Sequence, residues 1–255
     1  MPYSLKGRNV LVTGGSRGLG ELICLKFAAE GCNVAVNYNA SEDRAKEVAE
    51  KVRRFGGKAV LVKGDMGIET DCISVVRTTI AQLSGLDIII SNAGYTRFST
   101  FSDLTVPTAQ DWDLCHAVNV KAQFFLMREA APTFKGNPEG GVFVITSSIA
   151  GVTAGGSSMR RVAYSVTKAA QLHLMRCLAS TEGPKVRVNA VLPGWLATEW
   201  GTKYDPKRVE DLREKSWLKK DTDLEDCAQA FVDIAKNSSM TGQKIQVDSG
   251  LGQNA

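Results

Sequence analysis

A chain of 255 residues, 44% hydrophobic and 23% charged, suits one sizeable α/β domain with an ordinary globular balance. A formal net charge of +4, evenly spread, gives no electrostatic case for a nucleic-acid or membrane partner. Six cysteines without a C-x-x-C pair point to buried, reduced thiols and away from disulfides or a metal site. No apolar run reaches signal-peptide or membrane-spanning length, so a cytoplasmic protein is expected.

Short β-branched runs alternate with segments of helical period. Asn9–Thr13 reads as a strand, Gly18–Glu30 as a helix with Leu19, Leu22, Ile23 and Phe27 inward, and Asn33–Asn37 as a second strand. Ser41–Phe55 reads as a charged helix opened by a serine cap. The strand pattern returns at Ala59–Lys63, Leu86–Ser91, Val142–Ser147 and Val186–Leu192. Between the fourth and fifth of these strands, Thr108–Ala131 reads as one long helix. Strands apolar throughout, separated by helices, predict a doubly wound parallel sheet covered on both faces.

The first strand-to-helix turn is T-G-G-S-R-G-L-G, with Gly14, Gly18 and Gly20. Glycines there let the backbone turn tightly and approach a pyrophosphate at a helix N-terminus, although the spacing is not G-x-G-x-x-G and a plain glycine turn would read alike. The second strand ends N-Y-N-A-S, with Tyr38 where an acidic residue would hold a ribose 2′-hydroxyl and no carboxylate before Glu42. With Arg17, Asn39 and Ser41 nearby, a 2′-phosphate is the better-matched ligand, unless these polar residues merely end the strand. Asp65 and Asn92-Ala93-Gly94 follow strand C-termini, and Asn119 sits in mid-helix, where asparagine is unfavourable. Ser147 and Ser148 end the fifth strand.

The stretch Ala163–Leu178 puts Tyr164 and Lys168 one helical turn apart, with Val166, Ala169, Ala170, Leu172, His173, Leu174 and Leu178 expected as its buried surface. A neighbouring ammonium favours the phenolate and brings a tyrosine towards useful acid–base chemistry. Taken alone, Y-x-x-x-K reads equally as two residues of a surface helix.

Together these motifs, in this order along nearly the whole chain, resemble the short-chain dehydrogenases/reductases, single-domain members of about 250 residues. Pro193-Gly194 with Thr198, and T-G-Q-K-I-Q-V-D-S-G near the C-terminus, complete the pattern. The resemblance implies a Rossmann-type sheet of seven parallel strands in three α/β/α layers, with a lid at about 195–220 before the last helix. It implies an NADPH-dependent ketoreductase, similar to fungal naphthol reductases. Tyr164 would donate the proton, Lys168 would bind the nicotinamide ribose and tune Tyr164, Ser148 would hold the carbonyl oxygen, and Asn119 would keep a relay water. Gly14, Ser16, Arg17, Gly18 and Leu19 would line the pyrophosphate and adenosine side, Asp65 and Met66 the adenine, Asn92 and Gly94 its ribose. Pro193, Gly194 and Thr198 would contact the nicotinamide. Family members are commonly tetramers.

Three features depart from the pattern: extra residues between Ser148 and Tyr164, assigned to a substrate-side loop at Gly155–Arg161; Ser249 in place of a glycine; and the segment T-E-G-P-K before the sixth strand. Trp195, Trp200, Tyr204 and Trp217 in the lid favour a flat or bulky apolar small-molecule substrate, or else anchor the lid or an oligomer contact. The rival to a reductase is the same fold doing non-redox work, as a cyclase, isomerase or cofactor sensor.

Overall fold

The computed structural model describes residues 3–97, 105, 107–153 and 162–254. Seven strands pair in parallel in the order β3-β2-β1-β4-β5-β6-β7: β1 Asn9–Val12, β2 Asn33–Tyr38, β3 Ala59–Lys63, β4 Ile88–Ser91, β5 Gly141–Thr146, β6 Val186–Pro193 and β7 Lys244–Val247. Pairing is direct, with Val10 opposite Ile88 and Val34, and Ile88 opposite Val142.

Alternation of side chains along each strand feeds two apolar layers. Val10, Val12, Ile88, Ile90, Val142 and Val144 pack on one face with α1 (Gly18–Ala29), α2 (Glu42–Arg53) and α8 (Leu224–Lys236). Leu11, Ile89, Phe143 and Ile145 pack on the other with α3 (Glu69–Leu83), α5 (Ala122–Gly136) and α6 (Val162–Glu182). Both faces being covered is why the central strands read as unbroken apolar runs. β7 is the exception. It lies at the sheet edge with alternate residues exposed, so only the resemblance and not the apolar pattern anticipated it.

Several local expectations change. The helix expected at 108–131 is three consecutive pieces: α4 (Ala109–His116), a π-helical turn Ala117–Lys121, and α5, which runs on to Gly136 through Pro132. Thr108 opens it with a reciprocal cap to Asp111. Ser41 stands at the N-cap of α2, but its hydroxyl makes no capping bond. The buried face of α6 runs through Ala163, Thr167, Lys168, Gln171, Leu172, Met175 and Leu178, while Val166, Ala169 and His173 face outward. Thr167 and Lys168, whose side chains bond Asn119 and the Thr146 carbonyl, take places on that face that apolar residues were expected to fill. Five cysteines are buried thiols as expected, but Cys177 is exposed on α6.

The T-E-G-P-K segment ends α6 at the far edge of the sheet from the strand C-termini. There Lys185 Nζ donates to the carbonyls of Asn137 and Pro138 and its own carbonyl accepts from Gly141, closing a turn remote from the site. Ser249 holds φ at +56°, the left-handed region in which a glycine is at ease. No helix among the described residues is long and apolar enough to cross a membrane. The Gly155–Arg161 loop lies outside the described residues.

Candidate active site

The C-terminal strand ends lie along one edge, and the chain reverses direction across the sheet between β1 and β4, which opens a crevice there. The glycine turn between β1 and α1 forms one wall. Gly14 and Gly18 hold φ at +61° and +56°. A Cβ on Gly20 would lie 2.2 Å from the Gly14 carbonyl oxygen and 2.6 Å from Asn92 Nδ2, so no other residue fits without moving backbone. Ser16 and Leu19 are buried and Arg17 is exposed at the N-cap of α1.

The turn is held from beneath. Gly14 N donates to Asn37 Oδ1, and Asn37 Nδ2 donates to the carbonyls of Val62 and Gly64. Asn92 Nδ2 donates to the carbonyls of Thr13 and Gly14, and its Oδ1 accepts from Thr146. Asn92 therefore positions the glycine turn with its side chain. Asn37 does the same from β2, a part that sequence reasoning missed because the residue sits inside an apolar strand.

At the end of β2 the expected set divides. Tyr38 is buried in the core, and burial, with its hydrogen bond to Glu42, raises the phenol pKa. Its ring thus belongs to the apolar layer at the end of β2. Asn39 Nδ2 donates to Asp65 Oδ2 at 2.9 Å, joining the ends of β2 and β3, and Asp65 Oδ1 accepts from Gly67 N. Met66, next along, is buried. Arg17 reaches across to Glu199 at 3.4 Å, and Arg44 in the first turn of α2 pairs with the same carboxylate. Neither Arg44 nor Glu199 figured among the sequence candidates.

The chemical groups gather where β5 meets α6. Ser148 caps a short 3-10 turn (Ile149–Gly151) by accepting from Ala150 N. That turn lies so close to α6 that a Cβ on Gly151 would come within 2.7 Å of the Lys168 backbone. Ser147 Oγ donates to the Lys168 carbonyl, Ser165 Oγ to the Ala150 carbonyl, and Lys168 Nζ to the Thr146 carbonyl at 2.8 Å. These bonds fix the turn of α6 that carries Tyr164 and Lys168. Nζ stands 5.3 Å from the Tyr164 ring centre, and burial pushes the lysine from its ordinary 10.5 down to about 7.

Asn119, fully buried in the π turn, accepts from Tyr95 N and donates to the Tyr95 carbonyl and to Thr167 Oγ1. Its side chain thus locks the segment after Gly94 to the residue beside Lys168. The asparagine that is unfavourable in mid-helix sits in a π turn, a local distortion of the helix that the sequence did not anticipate.

The segment after β6 completes the crevice. Gly194 is pressed against Thr222 and Asp248, where a Cβ would come within 2.5 Å of Thr222 Oγ1. Pro193 is buried at the strand end, and Thr198 faces Gly18 across the glycine turn. Leu196 bridges to Thr222, so the excursion carrying α7 (Pro206–Lys215) leaves and returns at neighbouring points. A Cβ on Gly94 would meet Asn119 Oδ1 at 3.6 Å, Lys168 Nζ at 3.8 Å and the Trp200 indole at 3.8 Å. Trp200 therefore faces the floor of the site, whereas Trp217 packs against Gly250 at the C-terminal turn. Among the described residues no three His, Cys, Asp or Glu side chains cluster to hold a metal ion.

A family model described as enoyl-(acyl carrier protein) reductase matches residues 14–252. A ketoacyl reductase of the granaticin polyketide synthase of Streptomyces violaceoruber is 34% identical over 94% of this chain and 94% of its own. Tetrahydroxynaphthalene reductase of Pyricularia oryzae is 29% identical over 97% of this chain and 90% of its own. The crystal structure of a short-chain dehydrogenase from Burkholderia cenocepacia in complex with NADP superposes with a TM-score of 0.89. It covers 98% of this chain and 99% of that one at 28% identity.

Proposed function

The chain belongs to the short-chain dehydrogenase/reductase family, and from that premise we propose that it is an oxidoreductase that reduces a ketone of a small molecule with NADPH. The observation that carries the reading is the joint anchoring of Ser148, Tyr164 and Lys168, with Lys168 Nζ fixed to the β5 terminus 5.3 Å from the Tyr164 ring.

The residues fit a dinucleotide. The left-handed Gly14 and Gly18 shape a turn at a helix N-terminus suited to pyrophosphate, and Arg17 and Arg44 supply the cations a 2′-phosphate requires. Ser16, Leu19, Asn39, Ser41, Asp65 and Met66 would edge the adenosine, Gly94 the adenine ribose, and Pro193, Gly194 and Thr198 the nicotinamide. Asn92 would shape the adenine-ribose side through the glycine turn it holds, and Tyr38 from the core beneath. NADPH, when bound, supplies a hydride.

Ser148, whose Oγ accepts from Ala150 N, keeps its O–H to donate to the substrate carbonyl oxygen. Tyr164 delivers the proton to that oxygen, and Lys168, brought down to about 7 by burial, can gain and release a proton near neutrality and so pass one back towards the phenolate. Asn119 keeps this turn of α6 in register through Thr167. The 195–220 excursion acts as the lid, its Trp200 favouring a flat or bulky apolar substrate.

Exposed Leu114, Phe124 and Val166 on α4, α5 and α6 support a homo-oligomer, dimer or tetramer, that covers them, and a cytoplasmic location accords with the reduced thiols. Light scattering on the purified protein reads the assembly. A panel of aryl ketones, quinones and sugars with NADPH and with NADH, followed by absorbance of the reduced cofactor, tests the activity. Ketone-dependent oxidation of NADPH is expected; no turnover with any carbonyl would overturn the reading.

A further inference from the structure

The Glu199 carboxylate is divided between two guanidinium groups from separate parts of the fold. Oε2 meets Arg17 Nη1 of the glycine turn at 3.4 Å, and Oε1 meets Arg44 Nη1 of the first turn of α2. These two elements flank the end of β2, the side of the crevice that the glycine turn and Asn39–Asp65 bound. Glu199 itself follows Thr198, whose methyl group faces Gly18, so the start of the lid is laid along the glycine turn at both residues. All three side chains are half exposed. Ion pairs of that exposure contribute little to stability and exchange partners readily.

We propose that Arg17 and Arg44 form one two-arginine anion site and that the Glu199 carboxylate competes for it with the 2′-phosphate of NADPH. This rests on the reading that the protein uses NADPH. The chemistry favours the exchange: a phosphate monoester carries nearly two charges and three acceptor oxygens, against one charge and two oxygens for the carboxylate. Paired arginines match phosphate oxygens in the same geometry that they match a carboxylate. NADH brings no rival anion to this point and leaves Glu199 in place. Arg44 is then a specificity-determining residue, and Glu199 links the 2′-phosphate to the segment that begins the lid.

Calorimetric titration with NADP+, NAD+ and 2′,5′-ADP on the intact protein and on Glu199→Gln, Arg44→Ala and the double variant tests this by binding alone. Glu199→Gln, which removes the competitor's charge, is expected to tighten NADP+ and 2′,5′-ADP about three- to fivefold. NAD+ affinity should stay within twofold. Arg44→Ala is expected to weaken both phosphorylated ligands about tenfold, and the gain from Glu199→Gln should vanish in that background. Unchanged or weaker NADP+ binding by Glu199→Gln overturns the competition. A silent Arg44→Ala removes Arg44 from the site. Failure of the NADPH reading looks different: the unaltered protein would bind NAD+ as tightly as NADP+.

Discussion

Replacing Lys168 with methionine keeps the length of the side chain and removes its proton. The Lys168 amine is buried, held by the Thr146 carbonyl, and brought from 10.5 to about 7 by desolvation. The unfolded chain therefore holds this proton up to about pH 10 while the folded protein has released it above 7, so the lysine's contribution to stability rises with pH across that window. It is largest above the unfolded pKa and is lost as pH falls through 7. Between pH 7 and 9, linkage gives about 2 kcal/mol from this one group.

Urea denaturation of the native protein and of Lys168→Met, at half-unit steps from pH 6.5 to 9, isolates the effect. Cys24, Cys32, Cys72 and Cys227, whose thiols burial raises, act in the opposite direction in both proteins and cancel. The native protein should gain about 2 kcal/mol on the variant between pH 7 and 9. A constant difference would refute the claim that burial discharges this lysine near neutrality.

Three further outcomes follow from the geometry. Gly20→Ala drives a methyl group into the Gly14 carbonyl, so stability should fall by about 1–3 kcal/mol in urea and NADP+ binding should weaken at least about tenfold as the turn shifts; normal values for both would contradict the close approach. Thr167→Val deletes the acceptor for Asn119 Nδ2 and should cost about 1–2 kcal/mol, with kcat reduced more than KM is raised and with rescue by Thr167→Ser. The five buried thiols should react with maleimide only under denaturant, as mass spectrometry would read.

The central strands β1, β4 and β5 were legible because burial on both faces gives them near-continuous apolar runs, and β2, β3 and β6 because β-branched residues still recur in them. β7, exposed on alternate residues at the edge, required the family pattern. The positions of Tyr164, Lys168 and Ser148 were legible because their chemistry is local in sequence. Their supports were not: Asn37, Thr146 and Thr167 act through hydrogen bonds to residues far along the chain, which no local spacing records. The inward face of α6 was misread for a related reason. Lys168 and Gln171 face inward and Val166 outward, against the hydrophobic rule, because the site and an exposed apolar face lie on opposite sides of one helix. Tyr38 was picked out by its position after Gly20, and strand alternation places its ring in the apolar layer, which that spacing alone did not indicate. Arg44 and Glu199 emerged only when the fold brought α2 and the start of the lid together.

The central claim is that Tyr164 supplies the proton from a turn of α6 fixed against β5, and Tyr164→Phe tests it most directly. The ring stays and only the hydroxyl is lost, so NADP+ affinity by calorimetry should remain within about twofold while kcat with NADPH and a ketone falls by about 100- to 10,000-fold. Retention of most of the turnover, with NADP+ binding unchanged, would place the proton donor elsewhere and contradict the account.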